Sequence, residues 1–181
     1  MYIVTTNNGA ATGAGAIRFS INSPPENGTC TVSQRNGTSM TSFEFSCLNW
    51  SDSDGIGGYS FYAHTSTGSD RILIAFTTLE TVDLYLPIGD QSNSYALQVA
   101  VDIRDIYGAI TTYNVSTITV IPDDAAIMSF LALSQSSSTF GSTNNPLERL
   151  LYSANQNMAC QLVLSLSQAL NSMYLSSIDN A

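Results

Sequence analysis

Tyr95-Ala96-Leu97-Gln98-Val99-Ala100-Val101-Asp102-Ile103 carries an apolar side chain at every second position. Side chains on a strand point alternately to its two faces, so this run reads as a strand with one face in a core. The same period recurs on either side of it. Downstream, Tyr107-Gly108 turns the chain toward a last strand around Val115 to Ile121. Upstream, the inward sets are Val82, Leu84 and Leu86, then Ile72, Ile74 and Phe76. Tyr59, Phe61 and Ala63 alternate with Ser60, Tyr62 and His64, and before them come Phe43, Phe45 and Cys47, then Ile17, Phe19 and Ile21. Short period-two strands separated by polar turns predict an antiparallel β-sandwich over residues 16–122.

Cys30 and Cys47 sit on two of these strand-like segments, with Trp50 just beyond the second. The arrangement predicts a disulfide beside an aromatic core, the alternative being two reduced core cysteines. A cross-strand bond puts the hairpin midpoint between Thr38 and Ser39, whereas a tight Asn36-Gly37 turn would centre two positions earlier. A longer loop with the bond intact is the preferred reading, and closing it contributes about 3 kcal/mol. Alternation breaks between Cys47 and Trp50, which predicts a bulge there. Four Asn-x-Ser/Thr sequons begin at Asn27, Asn36, Asn49 and Asn114. Asn36 is expected at a loop tip and is the best glycan acceptor, followed by Asn27. Asn49 is the poorest, because Trp50 beside it turns inward.

Composition narrows the function classes. The only basic residues are Arg18, Arg35, Arg71, Arg104 and Arg149, and the net charge is −9. A chain with no basic cluster lacks the phosphate-neutralising charge that nucleic-acid binding depends on. Only 10% of residues are charged, so Ser, Thr, Asn and Gln must supply the polar surface, as in glycosylated exterior proteins. No apolar run approaches the roughly 20 residues of a membrane-spanning helix. Met1-Tyr-Ile-Val-Thr-Thr lacks the basic start and apolar centre of a secretion signal, so the chain reads as an excerpt of a longer protein.

Residues 1–15 read as the end of a preceding module followed by a flexible joint, since Gly9, Gly13 and Gly15 lie among alanines. Beyond Pro122 the period changes. Asp123-Asp124 suits a helix start, and Asn145-Pro146 opens a second helical stretch. Its apolar line runs through Leu147, Leu150, Leu151, Ala154, Met158, Leu162 and Leu166, three or four apart. Residues 123–181 are therefore expected to be α-helical and to pack as a helical hairpin against themselves and against a neighbouring module or a copy of the chain.

Two sets of residues resemble known families. Leu86-Pro87 with Tyr95-x-Leu97-x-Val99-x-Val101 and Gly108 is similar to the penultimate strand of fibronectin type III modules. Pro24-Pro25-x-Asn27-Gly-Thr-Cys30, Phe43-x-Phe45-x-Cys47-x-Asn49-Trp50-x-Asp52-x-Asp54 and Tyr59-x-Phe61 resemble the receptor-for-egg-jelly (REJ) region of polycystin-1-like proteins. Gln161-Leu-Val-x-Ser-Leu-x-x-Ala-Leu-Asn171 is similar to the helical part of that region. The resemblance implies an Ig/fibronectin-III-like sandwich followed by a helical segment, in the extracellular part of a large glycoprotein. It carries over no catalytic residue.

The remaining candidates for chemistry are few. Asp52-Ser-Asp54-Gly55 is similar to the opening of a calcium loop but lacks its later acidic ligands, and it reads as a solvated turn. His64, the single histidine, has no acid or nucleophile tied to it by spacing. Cys160 reads as a small buried apolar residue on a helix. No phosphate loop or zinc spacing occurs, and no cofactor is expected. The expected function is a non-catalytic structural or adhesion module with N-linked glycans. A repeating subunit of an extracellular fibre and a secreted hydrolase using a pair such as Asp52 and Asp54 are the alternatives.

Overall fold

The strand periods lead to a sandwich in the computed structural model, which describes residues 2–8, 11–64 and 71–125 with scattered positions beyond. Side chains are described from Ile17 onward. Eleven strands are defined among the described residues: β1 Tyr2–Asn8, β2 Ala11–Ile17, β3 Thr29–Val32, β4 Asn36–Thr38, β5 Ser42–Leu48, β6 Ile56–His64, β7 Arg71–Thr77, β8 Thr81–Tyr85, β9 Ala96–Asp105, β10 Ile110–Asn114 and β11 Ile118–Ile121. A six-stranded sheet runs β4-β11-β9-β6-β7, with β10 also paired to β9. A three-stranded sheet, β3-β5-β8, faces it, and β1 and β2 form a separate antiparallel pair.

The core lies where the alternating faces meet. Leu97, Val99, Val101 and Ile103 of β9 are buried, as are Tyr59, Phe61 and Ala63 of β6. Phe43, Phe45 and Cys47 of β5 and Leu84 of β8 come from the opposite sheet. Phe45 and Phe61 meet edge to face across the interface, ring centres 5.4 Å apart, in the geometry that aromatic quadrupoles favour. The turn between β9 and β10 needs a left-handed residue, and Gly108 provides it at φ 97°.

Several expectations need correction. Much of the supposed flexible joint is strand, because Ala11–Ile17 pairs residue for residue with Tyr2–Asn8. Ile17, Phe19 and Ile21 are exposed rather than half-buried, since the chain leaves the strand after Ile17. Ile72, Ile74 and Phe76 do not share a buried face. The register shifts opposite Phe61 and Tyr62, so Ala75 enters the core while Ile72 and Phe76 stay exposed. The sheet is not wholly antiparallel either, because β4 pairs with β11 in parallel, Asn36 opposite Thr119 and Thr38 opposite Ile121.

Past Pro122, Asp124, Ala125, Met128, Ser129, Ala132, Cys160, Val163, Leu164, Leu166, Ser167, Leu170 and Asn171 have helical backbone. Leu147, Leu150, Leu151, Ala154, Met158 and Leu162 lie outside the described residues, and Leu166 is buried. Cys160 is exposed, contrary to its expected burial. Among the described residues no helix is long and apolar enough to cross a membrane.

Candidate functional site

One end of the sandwich gathers most of the residues singled out by sequence. The start of β3, the end of β5, the loop 49–55 and the β9–β10 turn all meet there. Cys30 lies directly opposite Cys47 in the β3–β5 ladder, and a disulfide joins them with the Cα atoms 4.0 Å apart. The Cys47 N–H donates to the Glu80 carbonyl on the far side of β5, so the cysteines form the non-hydrogen-bonded pair. Such pairs bring side chains closest, which suits a cross-strand bond.

Trp50 reaches the same corner by a backbone device rather than the expected bulge. Glu26 and Ser51 form an antiparallel bridge outside the Thr29–Leu48 pair, with two residues between on each strand. No extra residue is inserted. Asn27 and Asn49 instead adopt left-handed backbone, φ 65° and 63°, a conformation that asparagine tolerates better than most residues. The Trp50 ring then covers Gly28, where an added Cβ would lie 2.2 Å from the indole. Its other face of contact is Tyr113, edge to face at 5.9 Å.

Asp105, at the end of β9, fastens the N-terminal approach to this end. It is buried and accepts hydrogen bonds from Asn22 Nδ2 at 2.6 Å and from the Tyr107 and Ala109 N–H groups. Burial opposes its charged form, but the bonds from Asn22, Ala109, Gly108 and Tyr107 outweigh that and lower its pKa. Asp52 and Asp54, which sequence read as a solvated turn, come together with Asp105. Their carboxylate oxygens lie within 4.8 Å of one another, close enough to share one cation. Asp105 could not be found from local spacing, since it is brought in by the pairing of Ile56 with Asp105. Beside them Ser23, Pro24, Glu26, Ser51, Asp52 and Ser53 line an open depression of about 360 Å³.

His64 lies at the other end of β6 from Ile56, about 26 Å away at the strand rise of roughly 3.3 Å per residue. A general acid needs a raised carboxyl pKa, whereas that of Asp105 is lowered.

The outer face of the large sheet holds a second polar group. Arg71 pairs with Asp102 at 3.1 Å and lies over the Tyr62 ring, 4.3 Å from its centre. Thr112 Oγ1 donates to the same carboxylate at 2.6 Å. Beside this group β7 ends its sheet, with Leu73 and Phe76 exposed on the strand and Leu79 just beyond it.

The four sequon asparagines are exposed. Asn36 is not at a loop tip, however, since it opens β4 in the parallel ladder with β11. The segment after β3 crosses to the other sheet instead of turning back as a hairpin.

With this architecture in hand, comparison with known families is decisive. The profile of the REJ domain matches residues 1–165. The chain belongs to the REJ domain family. No curated protein matches it. The matched span takes in both sheets of the REJ sandwich, its disulfide corner and part of the stretch beyond Pro122.

Proposed function

We propose that this REJ domain is a non-catalytic extracellular module of a large cell-surface or secreted glycoprotein, acting through contacts with neighbouring modules or copies of itself. The observation that carries the reading is the exposed apolar patch along β7. Among the described strands β7 pairs with β6 alone, and Leu73, Phe76 and Leu79 expose apolar area on and just beyond it. Contiguous exposed apolar area of this kind marks a contact surface. The disulfide supports an oxidising compartment. N-linked glycans at Asn36, Asn27, Asn114 and Asn49 fit the same compartment, since each asparagine is exposed.

The helical reading of residues 123–181 belongs to this proposal. Helical backbone at Asp124, Ala125, Val163, Leu164 and Leu166 supports it, as does the burial of Leu166. Leu147, Leu150, Leu151, Met158, Leu162 and Leu166 then form one packing line, folded on itself as a hairpin and laid against a neighbour. The test is sedimentation velocity on the full chain and on Leu73→Lys/Phe76→Lys. The parent is expected to associate as concentration rises, and the variant to remain monomeric with an unchanged circular dichroism spectrum. A parent that stays monomeric throughout would remove the β7 patch as the contact surface.

A further inference from the structure

We infer that Asn27 is a site of spontaneous deamidation whenever its side chain carries no glycan, giving aspartate and isoaspartate at the disulfide end of the sandwich. The reaction needs an asparagine followed by an unhindered backbone N–H, and glycine, lacking a Cβ, presents it best. Asn27-Gly28 and Asn36-Gly37 both meet that requirement in the sandwich. A third pair, Asn8-Gly9, ends on a residue outside those described.

The fold treats the two sandwich pairs differently. Asn27 is exposed, lies in a bend outside any strand and has a left-handed backbone. Gly28 lies outside any strand, and its N–H donates to no partner among the described residues. Gly37 lies opposite Val120 in the parallel β4–β11 ladder. The Thr119 N–H bonds to the Arg35 carbonyl, and the Ser39 N–H to the Ile121 carbonyl. In a parallel ladder those two bonds flank Gly37 and commit its N–H to the Thr119 carbonyl between them. The nucleophile is therefore available at Gly28 and engaged at Gly37.

The steps balance with water as the sole co-reactant. Solvent hydroxide removes the Gly28 amide proton, and the nitrogen attacks Asn27 Cγ, forming a five-membered imide. Ammonia leaves with the side-chain nitrogen and a proton from water. Water then opens the ring at the side-chain carbonyl to give aspartate, or at the main-chain carbonyl to give isoaspartate. The isoaspartate product inserts the residue 27 Cβ into the main chain, between the Glu26–Ser51 bridge and the Cys30–Cys47 bond. Gly28 has no room to move toward Trp50, because the ring already lies 2.2 Å from where a Cβ would sit. A glycan on Asn27 would occupy the leaving nitrogen and crowd Cγ, so an occupied sequon preserves the corner. That protective role rests on the glycosylation proposed above, whereas the reactivity of Asn27 does not.

The test uses the full chain made without glycosylation and held at mildly alkaline pH, native and in urea. Peptide mapping by mass spectrometry follows amide-to-acid conversion, and enzymatic methylation of isoaspartate follows the second product. Native protein should convert Asn27 several-fold faster than Asn36, and the two rates should converge in urea. If Asn27 does not react faster than Asn36 in the folded chain, the inference is overturned.

Discussion

Replacing Cys30 and Cys47 together by alanine tests how much of the sandwich depends on its stapled corner. The two residues are 17 apart in sequence. Closing a loop of that length lowers the unfolded-state entropy by an amount that contributes about 3 kcal/mol at 25 °C. Both cysteines are buried, so loss of the sulfurs removes packing as well and adds to that figure. For a chain of this size, about 3 kcal/mol corresponds to a fall of about 6–12 °C in thermal midpoint. The assay is thermal unfolding of parent and Cys30→Ala/Cys47→Ala by circular dichroism. The parent is also unfolded in denaturant with reductant, because reductant reaches the buried bond only in the opened chain. The reduced parent should lose stability by a similar amount. A double variant whose midpoint matches the oxidised parent would refute the reasoning, since the bond would then constrain nothing that the β3–β5 ladder does not already hold.

Arg71→Leu should cost about 1–3 kcal/mol in chemical denaturation, because it strips a buried carboxylate of its charged partner. Adding Asp102→Asn should recover part of that loss by removing the stranded charge. Asp105 has a folded pKa below its ordinary value of 3.8. Its contribution is therefore present above the ordinary value and lost as pH falls through the lower folded value. Asn22→Ala, which removes one of the stabilising hydrogen bonds, should lower stability in the neutral region, leave the acid end less altered and so flatten the acid limb of a stability–pH profile. In a chelating buffer Asp54→Asn should raise the thermal midpoint by relieving repulsion among Asp52, Asp54 and Asp105. A lower midpoint there would contradict that account.

The fold was legible in sequence wherever a strand has one buried face. Leu97, Val99, Val101 and Ile103 announce β9, and Phe43, Phe45 and Cys47 announce β5, because period two is a local property of extended backbone. The same locality explains the failures. Ile72, Ile74 and Phe76 alternate correctly along the chain, but the register shift against β6 turns Ala75 inward. A register belongs to two strands and cannot be read from one.

Composition and spacing by themselves determined the sandwich class, the pairing of Cys30 with Cys47 as a candidate bond and the lack of a charge pattern for nucleic acid. Only the tertiary structure decided that Asn36 lies on a strand, that Trp50 is laid over Gly28, and that Asp105 joins Asp52 and Asp54 across about 50 residues. Alternation records which face each side chain takes. Which distant strand shares that face is fixed by the minimum of the whole packed chain.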